Sequence, residues 1–408
     1  MNYLQLVKSL ASSNDIFSKV KSTLEDKGFV VKSYNDLFIV YHPKEPNTEK
    51  PLELLKRGQK SSFLEDRSEL RTSSFLELCE LTKECRGLIA KIQDPTKIVC
   101  YGFDNFLEHP TDINLTEYKD PFRVIESLDG TLLKLYYHND QWNVATNRCI
   151  SAKTARWNSH RSFYDMYLDA SQSMESLLDH DKLDKRCCYM MLLAHPENRI
   201  VTPYEFPILY HIGTRNLNTL EELDIFLPEN NIGMPQPSIQ HFDSLEKVFE
   251  ILDVLEWSLQ GYVIELYKND YTNIKRVKLI GKQHLHVHKV RGSEQNMLLH
   301  YLTLRFNANH SENDDDKQKL DEFAKYFPEW CGVNWQIETL AKWFHTQYMN
   351  IYVHKQPVLP QSLNGQYWTV LRNIHSQYLT TKQPTKIQTI KKILDDNSPR
   401  FMCSLLSN

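Results

Sequence analysis

The amino-acid sequence predicts an α+β protein in which mixed antiparallel sheets with intervening helices lead into an all-helical C-terminal domain. Three observations predict this. From about residue 74 to 290, short β-branched and aromatic runs recur between turn residues. After Gly292 the apolar residues fall at helical spacing instead. The composition, 41% hydrophobic and 25% charged over 408 residues, is that of a soluble globular chain long enough for more than one core.

The first segment, "LQLVKSLASSNDIFSKVKSTLEDKGF", spaces its apolar residues as a helix does, and "VVKSYNDLFIVYHP" reads as strand. Residues 44–62 form a polar connection that closes an N-terminal helix/strand module, 1–62, expected to pack on the core. In the central domain, 63–292, the strands are "CRGLIAKI", "KIVCYGF", "FRVIESL", "TLLKLYY", "WNVATN", "CCYMMLLA", "FPILYHIG", "GYVIELY" and "KRVKLIG". Helical patterns interrupt them at 152–182 and 243–257. In the C-terminal domain, 293–408, five amphipathic helices are expected, and the acidic "NANHSENDDDKQK" is expected to be a mobile loop.

A net charge of −4 gives no global attraction to nucleic acid, so any such binding must come from a local basic face. No stretch approaches the apolar length of a membrane span, and the N-terminus lacks a signal-peptide core. Both point to an intracellular protein, cytoplasmic or nuclear, with no membrane partner. The 8 cysteines contain no CxxC pair, which suits reduced, mostly buried thiols. Adjacent Cys187 and Cys188 would point to opposite faces of a strand.

"ESLDGT", 126–131, reads locally as a hairpin, because Asp-Gly between alternating apolar residues tolerates positive φ. Other segments give it a setting. "KECRGLIAK" lies upstream, and "AHPENRIVTPYEFPILYHIGTRN", "LQGYVIELY" and "KRVKLIGKQHLHVH" follow in that order. This ordered set resembles the phage-type RNA ligase 1 family of covalent nucleotidyltransferases over roughly residues 30–290. The resemblance implies a nucleotidyltransferase (ATP-grasp-like ligase) domain and a three-step chemistry. A lysine takes AMP from ATP, passes it to an RNA 5′-phosphate, and a 3′-hydroxyl displaces it. Mg²⁺ on carboxylates and basic groups on the last strand would neutralise phosphate charge. ATP and Mg²⁺ are therefore the cofactors it implies, and RNA or a protein the partner.

Measured against that family, the chemical positions have changed. Ser127 stands at the lysine nucleophile of the Lys-x-Asp-Gly element, and a serine hydroxyl needs an adjacent base that Glu126, on the opposite strand face, would not supply. Leu192 and Gln260 stand at carboxylate positions, and a neutral glutamine is a poorer Mg²⁺ ligand. Arg148 occupies a segment where small residues would let phosphate approach. The binding positions persist: Arg86, Asp129, Gly130, Arg199, and the pair Arg276 and Lys278, which alternation places on one face. Tyr210 or Ile212 could stack a base or simply pack in the core.

The resemblance therefore implies a pseudoenzyme that has lost lysyl-adenylate formation and binds nucleotide, RNA ends or a protein. Two alternatives stay open. One is an active ligase using Ser127, Lys134 or pre-adenylated RNA, and the other is a structural subunit of a larger ribonucleoprotein assembly. "HLHVH" would place His284, His286 and His288 on one strand face, a zinc-compatible spacing that lacks a fourth ligand. "RWNSHRSFYDMY" and "LAKWFHTQYMNIYVHK" mix cations with aromatics, as RNA-binding surfaces and inward-packed amphipathic helices both do.

Overall fold

The computed structural model describes residues 2–11, 15–43, 78, 80–104, 107–108, 122–157, 159–173, 179–267, 274–356 and 365–407. The connection expected at 44–62 lies outside the described residues. The chain divides into two compact units, Met1–Leu285 and His286–Asn408.

The first unit contains three sheets. Helices α1 (Tyr3–Ser9) and α2 (Ile16–Asp26) precede a hairpin of β1 (Val30–Tyr34) and β2 (Leu37–Tyr41), which continues through β3 (Arg86–Lys91) to β4 (Ile98–Cys100). The strand-like stretch 30–43 is thus two strands, turned at Asn35 with φ 53°. One face of this sheet packs Phe38, Val40 and Leu88 on Leu6, Val20 and Leu24 of the helices. Its other face packs Ile39 and Ile89 on Tyr136 and Cys188 of the next sheet.

The two remaining sheets build the cleft. Strands β5 (Leu107–Glu108), β6 (Phe122–Ser127), β7 (Thr131–His138), β8 (Gln141–Ala145), β9 (Cys187–Ala194), β10 (Ile208–Asn216), β11 (Glu222–Leu223), β12 (Ile239–Gln240), β13 (Gly261–Tyr267) and β14 (Ile274–Ile280) sort into the orders β11-β10-β9-β7-β8 and β12-β6-β13-β14-β5. All pairings are antiparallel except β14 with β5. Helix α3 (Phe163–Ser173) packs Met166, Tyr167 and Ala170 on the outer face of the β9 sheet, so "RWNSHRSFYDMY" turns its aromatics inward. Residues 152–157 and 159–162 form turns and bends instead of the helix expected there. Helix α4 (Leu245–Val254) packs Val248 and Leu252 on Val124, Ile264 and Val277 behind the β6 sheet. Cys187 joins the α3 core and Cys188 the opposite one, as strand alternation requires. The seven described cysteines are free thiols.

The Asp-Gly stretch is not a hairpin. Strands β6 and β7 belong to different sheets, so the chain crosses between sheets at residues 128–130. Gly130 has no positive φ. It is glycine for proximity, since a Cβ there would meet the Leu193 carbonyl oxygen at 2.6 Å and Leu192 Cδ2 at 2.9 Å. The expected result for Gly130→Ala is a loss of about 1–3 kcal/mol in urea unfolding, as for other overpacked sites. The primed-type turn lies further on, where Asn139 and Asp140 at φ 49° and 58° join β7 to β8.

The second unit is helical. Helix α5 (Lys282–Arg291) spans the division between units, and α6 (Met297–His310), α7 (Asp314–Tyr326), α8 (Gly332–Tyr348), α9 (Gly365–Thr381), α10 (Ile387–Asp395) and α11 (Pro399–Leu406) follow. The acidic stretch expected to be a mobile loop instead ends α6 and starts α7. Asn313 caps the Asp315 amide, and Asp314, Asp315 and Asp316 sit in the first turn, where the helix dipole favours them. Among the described residues, no helix is long and apolar enough to cross a membrane.

Candidate nucleotide cleft

Alternation decides which side chains face the cleft. On β6, Val124 is buried against α4, so Arg123, Ile125 and Ser127 face the other way. On β13 and β14 the same parity turns Val263, Glu265, Arg276 and Lys278 to that side. Leu192 of β9, Ile212 and Gly213 of β10, and residues 222–226 close it from the opposite sheet. Gly261 enters β13 at φ 141°, where a Cβ would collide with the Leu279 carbonyl oxygen, so this position requires glycine.

At the floor, the Ser127 hydroxyl donates to Gln260 Oε1 at 2.7 Å, and Gln260 Nε2 donates to Asp129 Oδ1 at 3.3 Å. Asp129 is buried, and its Oδ2 accepts the Val201 and Thr202 amides at 2.8 and 2.9 Å. Tyr204 Oη donates to the Asp129 carbonyl at 2.7 Å. Asp129 thus fixes the loop that follows "PENRIV". Glu126 accepts from Ser238 Oγ at 2.7 Å, and the partner of the Ser127 hydroxyl is an amide oxygen, which is no base.

The wall carries an ion-pair lattice that inspection of single motifs missed. Glu265, only 3% exposed, accepts from Arg123 Nε and Arg276 Nε, each at 2.8 Å. Arg123 reaches Asp224 at 2.9 Å, Arg276 pairs with Glu222, and Glu222 holds Arg215 at 2.5 Å. Burial pushes the Arg276 pKa down, but Glu222 and Glu265 more than offset this and hold it above the ordinary value. Phe226 and Phe103 lie under the Arg123 and Arg276 guanidinium groups at 4.7 and 5.1 Å. Asp104 also reaches Arg215, at 3.6 Å, so three arginines face four carboxylates and this lattice presents no surplus positive charge. A signal existed in the sequence: Glu265 is the lone charge in the apolar run "GYVIELY", and Arg123 is the only cation in "FRVIES", both at cleft-facing parity.

Of the residues expected to bind nucleotide, Arg276 and Lys278 line the cleft, and Ile212 lines it where Tyr210 does not. Arg199 instead donates to the Val201 carbonyl at 3.0 Å and lies 5.9 Å over Trp257. Arg86 starts β3, outside the cleft lining. Lys134 is wholly buried, its Nζ donating to the Gly87 and Arg86 carbonyls at 2.5 and 3.3 Å, and burial pushes its pKa down. Arg148 sits in the turn after β8, its amide on Thr146 Oγ1 at 3.2 Å. The histidines expected on a strand lie on α5, where His284 bonds the Trp257 carbonyl and His286 pairs with Glu322, so the three do not share one face. Among the described residues, no cluster of three His, Cys, Asp or Glu side chains could hold a metal.

Two sheets facing across a cleft, with the 128–130 crossing at its floor and a helical region after them, define the class: an α+β, ligase-like nucleotidyltransferase fold. The sequence profile of the phage T4 type 1 RNA ligase family, described as RNA ligase, matches residues 84–291, just over half of the 408. The chain belongs to this family. A protein of Autographa californica nuclear polyhedrosis virus, provisionally named a bifunctional polynucleotide kinase/RNA ligase, is 26% identical over 343 residues, 76% of this chain and 46% of its own length. An RNA ligase of Rhodothermus phage RM378 is 27% identical over 166 residues, 33% of this chain and 37% of that one. The chain thus spans about half, or less, of the length of these curated relatives. Among solved structures, an archaeal ATP-dependent RNA ligase has a TM-score of 0.44 at 12% identity, covering 79% of this chain and 82% of that one.

The fold family implies ATP and Mg²⁺, and the side chains present do not fit them. Mg²⁺ takes carboxylate oxygens with near-ideal geometry, whereas Glu222, Asp224 and Glu265 are each bound to arginine. A triphosphate needs surplus positive charge, and the lattice supplies none.

Proposed function

We propose that the chain is an RNA-ligase-family protein that forms no lysyl-nucleotide and acts by binding RNA. One observation carries this reading: Ser127 and Gln260, which the resemblance places at the nucleophile and at a carboxylate, are hydrogen-bonded to each other. A lysine and a glutamate in these positions would form a charged pair. A hydroxyl and an amide replace it with a neutral one, so the two changes compensate each other structurally while both remove chemistry. Leu192, at the second carboxylate position, lines the same cleft.

The test is incubation with α-labelled ATP, and separately GTP, with Mg²⁺ or Mn²⁺. The expected result is no label on the denatured protein, and no sealing of pre-adenylated RNA. A covalent label would overturn the reading, and sealing without label would favour a ligase fed by pre-adenylated ends.

A further inference from the structure

The second unit carries a feature that the cleft does not use. Residues 339–394 contain seven Lys/Arg and no Asp or Glu, in a chain whose net charge is −4. Among the described residues, Lys342, Lys355, Arg372, Lys382, Lys386 and Lys392 are exposed and form no ion pair, and Lys391 alone of the seven reaches a carboxylate, that of Glu338. An acid-free run of this length is unlike the mixed-sign surface that keeps a helical domain soluble. It sets up a local positive potential.

Aromatic rings lie within it. At the end of α8 the helix widens into a π-turn, Met349–Val353, closed by the His354 amide on the Met349 carbonyl at 2.8 Å. This places Tyr352 against α9, where four rings pile up. Tyr348 stacks on Tyr352 at 5.3 Å, Tyr352 on His375 at 4.1 Å, and His375 on Tyr378 at 6.2 Å, with interplanar angles of 26°, 18° and 27°. The pile runs from core to solvent: Tyr348 is 3% exposed and Tyr378 39%. Lys382 Nζ lies 6.0 Å from the Tyr378 ring centre, and Lys355 is three residues beyond Tyr352. His345 of α8 bonds the Thr385 carbonyl at 3.2 Å, which holds the 382–386 loop, with Lys386 at its end, beside the same helix.

We infer that this surface binds single-stranded RNA: an unpaired base extends the ring pile at Tyr378, and Lys355, Lys382 and Lys386 meet the flanking phosphates. An open end of parallel rings with unpaired cations around it suits an unstacked base and its backbone. A duplex hides its bases, and an acidic peptide has no use for the rings. The inference stands independently of the cleft, since it requires no nucleotide chemistry there.

The experiment is fluorescence anisotropy of the full chain with an unstructured RNA oligonucleotide and with an RNA duplex of equal length, across a salt series. Single-stranded RNA is expected to bind more tightly than duplex. Tyr378→Ala should weaken it about 5- to 100-fold, and Tyr378→Phe, which keeps the ring, should not. Lys355→Glu with Lys382→Glu should flatten the dependence of log K on log salt by about 0.7 for each phosphate no longer neutralised. Circular dichroism checks that the variants fold. Equal binding by Tyr378→Ala, tighter binding of duplex, equal competition by a polyglutamate peptide, or no RNA binding would each overturn the inference. None of these outcomes bears on whether labelled ATP modifies the protein.

Discussion

Glu265→Ala is expected to destabilise the first unit by about 3–5 kcal/mol, since it strips two desolvated arginines of the carboxylate they share and leaves Arg123 with Asp224 and Arg276 with Glu222. Arg123 and Arg276 each spend a guanidinium nitrogen on this carboxylate, which is 3% exposed, while both arginines are 17% exposed at the side chain. Turning either arginine to water would also break its contact with the phenylalanine ring beneath it. Urea unfolding of the full chain measures the loss. Replacing all three charges together, as Arg123→Met, Glu265→Leu and Arg276→Met, should cost far less than Glu265→Ala alone, because apolar groups of similar volume escape the desolvation penalty. A loss below about 1 kcal/mol for Glu265→Ala would be the behaviour of a surface pair and would remove the basis for treating the lattice as buried.

The second large effect is a loss of stability on acidification that His211 controls. This ring is fully buried on β10, and burial depresses its pKa to about 4, a shift that the Gly213 carbonyl only partly opposes. Its Nε2 lies 2.7 Å from Thr214 Oγ1 and 3.1 Å from the Gly213 carbonyl, while Nδ1 is buried without a partner. Protonation would therefore place a charge in a dry site. In the unfolded chain the ring titrates near 6.5, so between pH 6.5 and 4 the unfolded state binds more protons than the folded state. The contribution is intact above pH 6.5 and is lost as pH falls towards 4, to a total of about 3 kcal/mol. Burial also depresses His180 and His300, so the measurement is a difference: urea midpoints from pH 7 to 4 for the wild type and for His211→Gln. The variant should lose most of the slope in this window, and equal slopes would show that His211 does not carry it.

Much of the fold was legible in the sequence because its signals are periodic. "CCYMMLLA" coincides with β9, which is buried on both faces and so carries no polar alternation. Alternation also placed Arg276 and Lys278 on one face, and both line the cleft. Local signals failed where two structures share one local chemistry. Asp-Gly marks a tight change of direction, and nothing in the neighbouring residues says whether the strand folds back or crosses to another sheet. The partners of Asp129 that decide it, the Val201 and Thr202 amides, lie more than seventy residues away. "HLHVH" failed for a similar reason, since alternating apolar and polar residues over five positions fit a strand, and the α5 helix over 282–291 overrode them. The acidic run 312–316 looked disordered from composition alone, although the same aspartates stabilise a helix N-terminus once Asn313 caps it.

By itself the sequence determined the family, most of the strands, and a helical C-terminal region. Those are properties of residue type, spacing and order along one chain. Only the tertiary structure decided that Ser127 and Gln260 meet, that Arg123, Arg215 and Arg276 pair with Glu222, Asp224 and Glu265, and that Tyr348, Tyr352, His375 and Tyr378 form one pile. The physical reason is distance along the chain. Charge and stacking energies depend on separations of a few ångströms between residues up to 142 positions apart, and packing alone sets those separations.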